Sequence, residues 1–372
     1  MTDAPMTASA STATAGEVLA RYLTGQAGGF LRALPQAVGE AGARPGALPS
    51  LNAPGGSAGT EDLLRAVRRI GGVLHTFGQL FERTWAEEFR SELRWLLNLL
   101  AQEPAYTRRA ARLLGALDTL SATGATGELG GPGMLAGHQG APKARALLDR
   151  QLTLARTRAH STVLQELRSA RLHALADRMT LLVGEAPLLT AAAGEAGEVL
   201  LPQAARALET LTAAAAALPL RRAATAYQGD ALHRLGGGAP QVPAQARTAA
   251  PASAGGDIAD SALAADDAPW HRVRILVKRA RYAGEVCGRA VAELDGLDRV
   301  LDHHQEAADA AVTAATAART PRITPATAYV LGVVHADQRL EVEAARYAFG
   351  SQWPSISFGL DGWEESPVPR TA

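Results

Sequence analysis

Residues 271–282 read HRVRILVKRARY, and five of these twelve positions are Arg or Lys. At about 100° per residue, His271, Arg274, Lys278 and Arg281 fall within one arc of about 80° on a helix. Val273, Leu276, Val277, Ala280, Ala283 and Cys287 gather on another face, which is therefore expected to be the buried one. A cationic row of this kind repels itself, and a helix built only for solubility would interleave Glu at i,i+4 spacing. Glu285 alone does so. The row predicts either a polyanion lying along it or carboxylates from neighbouring helices pairing with it; a solvated charged face is the plainer alternative.

The surrounding chain makes this cluster unusual. It carries 37 basic and 37 acidic residues among 372, so its formal net charge is zero. That balance argues against a surface that coats nucleic acid, yet it permits one local basic site. Lys143 and Lys278 are the only lysines, and the general preference for Arg and Ala carries little functional weight. A single cysteine, Cys287, cannot form an internal disulfide. The first residues, MTDAPMTASASTATAG, have neither a basic nor an apolar leader segment, and no run of eighteen apolar residues follows. The expected location is cytoplasmic, with no membrane partner.

Working outward, Ala, Leu, Arg and Glu recur at helical spacing, so the expected fold class is all-α. A first helix is expected over 16–34, with Thr14 and Glu17 spaced for a capping box. A Pro/Gly/Ala connector runs over 35–59. Two helices follow, ending before Pro104, and a third covers 106–120. Residues 121–142 read as a loop, 143–183 as one long helical region and 201–218 as an Ala-rich helix. Residues 219–269 read as a disordered linker, because its Gly, Pro, Ala and Asp bury too little surface to offset ordering entropy. Helices are expected again at 270–290, 291–318 and 325–350, flanked by loose ends at 1–15 and 358–372.

Several motifs resemble those of the CHAD domain, the conserved histidine α-helical domain. The pattern His-x-x-Arg-x-x-x-Lys-Arg-x-Arg-Tyr is carried by His271, Arg274, Lys278, Arg279, Arg281 and Tyr282. LDGLDRVLDHHQEAADA (294–310), with His304, and AYVLGVVHADQRLEVEAARYAFGSQWPSI (328–356), with Gly332, His335 and Trp353, resemble later helices of the family. LLRAVRRIGGVLHTFGQLF resembles its first basic helix at Arg68 and Arg69, with Arg65 one position off register. The resemblance covers most of 16–357 and divides it into parts at 16–218 and 270–357.

The resemblance implies two four-helix bundles related by pseudo-twofold symmetry around a basic groove. It also implies binding of inorganic polyphosphate and targeting to polyphosphate granules. No catalysis, cofactor or metal is expected, since paired carboxylates with metal-like spacing are absent. The implied ligand residues are His271, Arg274, Lys278, Arg279, Arg281, Tyr282, Arg65, Arg68, Arg69 and His304. No CYTH enzyme domain accompanies them. Where the first basic helix should hold the family His and two arginines, this chain has Glu61, Leu64 and Gly71. Gln102, Glu103 and Pro104 replace an expected Arg-Asp pair, Asp302 a Gly and Glu306 an Asp. The first half of the groove is therefore expected to be depleted of charge.

Arg suits phosphate oxygens because its planar guanidinium binds them bidentately, whereas Lys278 would act as a point charge. With only 5% aromatic residues, the chain lacks the stacking platforms of a single-strand nucleic-acid binder. His303, His304 and His335 lack the spacing of a metal cluster. The Gly-x-Ser-x-Gly match at Gly55–Gly59 has no preceding strand and is set aside. Two alternatives stay open: a protein-interaction scaffold whose cations pair with Asp302 and Glu306, and an accessory subunit of a phosphate-metabolising enzyme. The Asp residues before His271 also raise the expectation that the linker folds back over the groove.

Overall fold

The protein is described from a computed structural model, in which residues 13–42, 58–122, 134–223, 252–289 and 292–355 are described. The expected loose ends, the connector, the centre of the 121–142 loop and most of the 219–269 linker lie outside the described residues. Within them the fold is all-α. Its helices are α1 (Ala15–Gly42), α2 (Ala58–Thr76), α3 (Arg83–Ser121), α4 (Ala141–Glu166), α5 (Ala170–Gly184) and α6 (Ala196–Ala216). After a single turn at Leu220–Ala223 come α7 (Ala252–Val286), α8 (Ala292–Ala318) and α9 (Pro325–Gln352).

Local signals set several of these ends. Thr14 Oγ1 accepts from Glu17 N at 3.2 Å, and Thr14 N donates to the Glu17 carboxylate at 2.9 Å, which is the expected capping box. Ser169 Oγ accepts from Leu172 N at 3.2 Å and starts α5, so the expected helix over 143–183 is two. Other ends differ because packing overrides proline. Pro35 lies inside α1 and Pro104 inside α3, so the helix expected to end before Pro104 and the one expected at 106–120 are one. Pro104 is buried, and the surrounding contacts outweigh the backbone hydrogen bond it cannot make.

The linker boundary needs the largest correction. Residues 252–269, expected to be disordered, form the first part of α7 and run without a break into the basic segment. Composition missed this because the anchor is ionic: Asp267 is 3% exposed and is held by Arg339 at 2.7 Å and Arg346 at 2.6 Å. Asp266 also pairs with Arg346, at 2.6 Å. These two acids therefore face α9 instead of folding back over the groove.

Two main apolar clusters hold the helices together. The first draws on α1, α2, α5, α6, α7, the first half of α3 and the start of α8. The second joins Ala110–Leu117 of α3, Ala144–Leu152 of α4, Ala310–Ala317 of α8 and Val330–Val334 of α9. Each cluster mixes helices from before and after residue 251, so the cores do not follow the division into parts at 16–218 and 270–357. The long helices α3 and α8 run from one cluster to the other. Between their apolar stretches both turn polar, and the site lies there.

Candidate functional site

The apolar face expected for the basic helix is the one it buries. Val273, Val277, Ala280, Ala283 and Cys287 are at most 1% exposed and Leu276 is 8% exposed. This seating turns Arg274, Lys278 and Arg281 toward a groove of about 590 Å³ between α2, α3, α7 and α8. Across it stand Arg65, Arg68 and Arg69 from α2 and Arg108, Arg109 and Arg112 from α3. Tyr282 closes the floor, with its ring packed on Gly72. A Cβ at that glycine would lie 2.5 Å from the ring's Cδ2, which explains a helix-weakening residue at this point.

The groove is cationic, but its cations are largely paired. Arg274 Nε donates to Asp302 at 2.5 Å, and Lys278 bonds both Asp298 and Asp302. Arg281 reaches Asp298 at 2.6 Å and Asp295 at 3.3 Å. Arg69 is held by Glu285 at 2.8 Å, which also accepts from the Tyr22 hydroxyl at 2.9 Å. Arg108 pairs with Glu306 at 2.9 Å, Arg109 with Asp309 at 3.2 Å and Arg112 with Glu341 at 3.4 Å. Arg65 pairs within its own helix with Asp62.

Electrostatics follow this pairing. Burial raises the pKa of Asp302, but the charges and hydrogen bonds of Arg274 and Lys278 outweigh it and hold the carboxyl below its usual range. Among the described residues, Arg68 is the groove cation without a carboxylate at ion-pair distance. Its pKa is lowered by desolvation, and the like charges of Arg274 and Arg108 add to the effect while Tyr282 and Asp302 partly offset it.

Residues 55–318 match the CHAD domain family. The chain belongs to that family. Among solved structures it is similar to PptA from Streptomyces chartreusis, at 43% identity over 92% of this chain and 100% of that one, with a TM-score of 0.68. The comparison with curated proteins returned no match.

Seven of the ten residues implied as ligands of the CHAD domain line the groove: Arg65, Arg68, Arg69, Arg274, Lys278, Arg281 and Tyr282. His304 does not. It is 1% exposed, stacks on Trp270 with ring centroids 5.6 Å apart, and its Nε2 accepts from Arg346 Nε at 3.2 Å. Burial first, and then the charge of Arg346, push its pKa down to about 2, so the ring is a neutral acceptor in the core. His271 also leaves the row. Its ring meets His304 edge-on at 5.5 Å, and its Nε2 is buried without a protein partner. Arg279 lies about 100° round the helix from Lys278 and lines a different cavity.

Sequence reasoning missed Arg108, Arg109 and Arg112. The run YTRRAARLL carried the signal, since positions i, i+1 and i+4 place three arginines along one side of a helix. They add charge from α3 beside an α2 face on which Glu61 and Leu64 line the groove. Among the described residues, no group of three or more His, Cys, Asp and Glu is placed to hold a metal, and no helix is long and apolar enough to cross a membrane.

Proposed function

We propose that this CHAD-domain protein binds inorganic polyphosphate, or a similarly charged polymer, in the groove between α2, α3, α7 and α8 without transforming it. The observation that carries this reading is local charge. Nine cationic side chains face five acidic ones around one cavity, in a chain whose formal net charge is zero. Family membership supports the ligand class. Polyphosphate carries about one negative charge per unit, and release of its counterions rewards a cationic groove.

The ion pairs are compatible with binding because each uses only part of a donor set. Arg274 engages Asp302 through Nε, so its terminal N–H groups remain available to phosphate oxygens. Held in this way, the long side chains lose less freedom when a ligand arrives. Arg68, with no competing carboxylate among the described residues, is the first contact. Where polyphosphate accumulates in granules, this affinity would draw the protein to them, which a fluorescent fusion would reveal.

Binding titrated against salt, with long-chain polyphosphate and single-stranded DNA compared, tests the reading. Polyphosphate should bind more tightly, with affinity falling steeply as salt rises. Equal affinity for both polymers, or none for polyphosphate at low salt, refutes it. The internal pairing of Arg274, Lys278 and Arg281 favours a second reading, a groove neutralised from within that serves a protein partner. Under that reading, a partner is still recovered with the protein after polyphosphate has been digested.

A further inference from the structure

On another face of α7 lies a second cavity, of about 370 Å³. Its lining includes His75 and Gln79 near the end of α2, Gln203, Arg206 and Thr210 of α6, and Arg279 of α7. Its chemistry differs from that of the groove in two respects.

First, its cations have no counter-charge. No acidic side chain lines it among the described residues, and Arg206 and Arg279 make no ion pair there. Desolvation, and then the nearby charge of Arg90, lower the pKa of Arg279; the same two arginines act on His75, which burial and their charges push down to about 4. For the part-buried Arg279 this is costly unless an anion completes it, whereas Arg206 is exposed at the rim. Second, Gln203 is 7% exposed. Its Nε2 donates to Val199 O at 3.0 Å, which leaves its Oε1 buried without a protein partner. A sulfate dianion offers no donor to that oxygen, whereas the hydroxyl group of an alcohol does.

We propose that this cavity is an anion site separate from the groove, which takes a small phosphate monoester carrying a hydroxyl donor. Arg279 and Arg206 bind the phosphoryl oxygens, and Gln203 Oε1 accepts from the hydroxyl. The ligand of the groove does not enter this argument, so either site can fail without the other.

The test is calorimetric titration of the full chain at low salt with glycerol 3-phosphate and with sulfate, a tetrahedral dianion that has no donor. Glycerol 3-phosphate should bind saturably and more tightly than sulfate. Arg279→Ala should weaken both by about tenfold or more, and Arg68→Ala should change neither. Gln203→Met should abolish the preference for the ester. If Arg279→Ala does not fold by circular dichroism, Arg206→Ala replaces it, with the same expected loss. Absence of saturable binding by both probes overturns the site. So does binding that is lost in Arg68→Ala and kept in Arg279→Ala, which would place the phosphate in the groove. Displacement of glycerol 3-phosphate by long-chain polyphosphate in the Arg68→Ala protein would show that the cavity takes a polymer end, and the ester assignment would fail.

Discussion

Arg68→Ala separates a groove that uses its unpaired cation from one that uses the basic row of α7. A hydrogen bond between charged groups contributes about 1.5–3 kcal/mol, and the exposed position of Arg68 puts it at the lower end. Its removal should therefore weaken polyphosphate about tenfold and lower the slope of log affinity against log salt by about 1. Because Arg68 makes no ion pair with the described residues, stability should change by less than about 0.5 kcal/mol. Lys278→Ala should show the reverse balance. Lys278 bonds Asp298, whose side chain is 8% exposed, so its loss leaves that carboxylate with fewer partners and lowers the melting temperature. Salt-titrated fluorescence anisotropy with labelled polyphosphate, alongside thermal melts, measures both effects. Unchanged affinity in Arg68→Ala would refute the reasoning, as would a larger binding loss in Lys278→Ala with an unchanged melt.

Other perturbations reach the same architecture from different sides. Asp302→Asn removes the acid shared by Arg274 and Lys278, so polyphosphate affinity should rise about threefold to tenfold in the same titration. His304 has a folded pKa of about 2, below its ordinary 6.5, so the unfolded chain takes up the proton first. Its contribution to stability is complete above pH 6.5 and falls by up to about 1.4 kcal/mol per pH unit as pH drops toward 2. Denaturant unfolding at pH 7 and pH 5 should show this loss, and His304→Gln should shrink it. Gly72→Ala should cost about 1–3 kcal/mol, because the added methyl meets the Tyr282 ring, and a melting temperature equal to wild type would contradict that packing.

The period of the sequence settled the helical class and which face of a helix is buried, though not every helix end. The 3.6-residue period identified an all-α chain, and the spacing of Val273, Leu276, Val277 and Ala280 correctly marked the buried face of α7. Capping chemistry marked the start of α1, since Thr14 and Glu17 lie three residues apart and satisfy each other. The same geometry set Arg274, Lys278 and Arg281 on one side of their helix, and it already separated Arg279 from them.

Only the tertiary structure decided what each charge faces. Arg108 and Arg109 share a groove with Arg274 because α3 and α8 pass between two apolar cores, and no pattern within one helix encodes that meeting. Burial of His304, and the ionic seating of Asp267 on Arg339 and Arg346, likewise depend on side chains from separate helices. The reason is physical: burial of an apolar face follows from the period of one segment, whereas the energy of a charge depends on partners and dielectric supplied from all around it. The row in HRVRILVKRARY was legible as charge, but its neutralisation by Asp298 and Asp302, and the unpaired Arg68 opposite, were settled by packing.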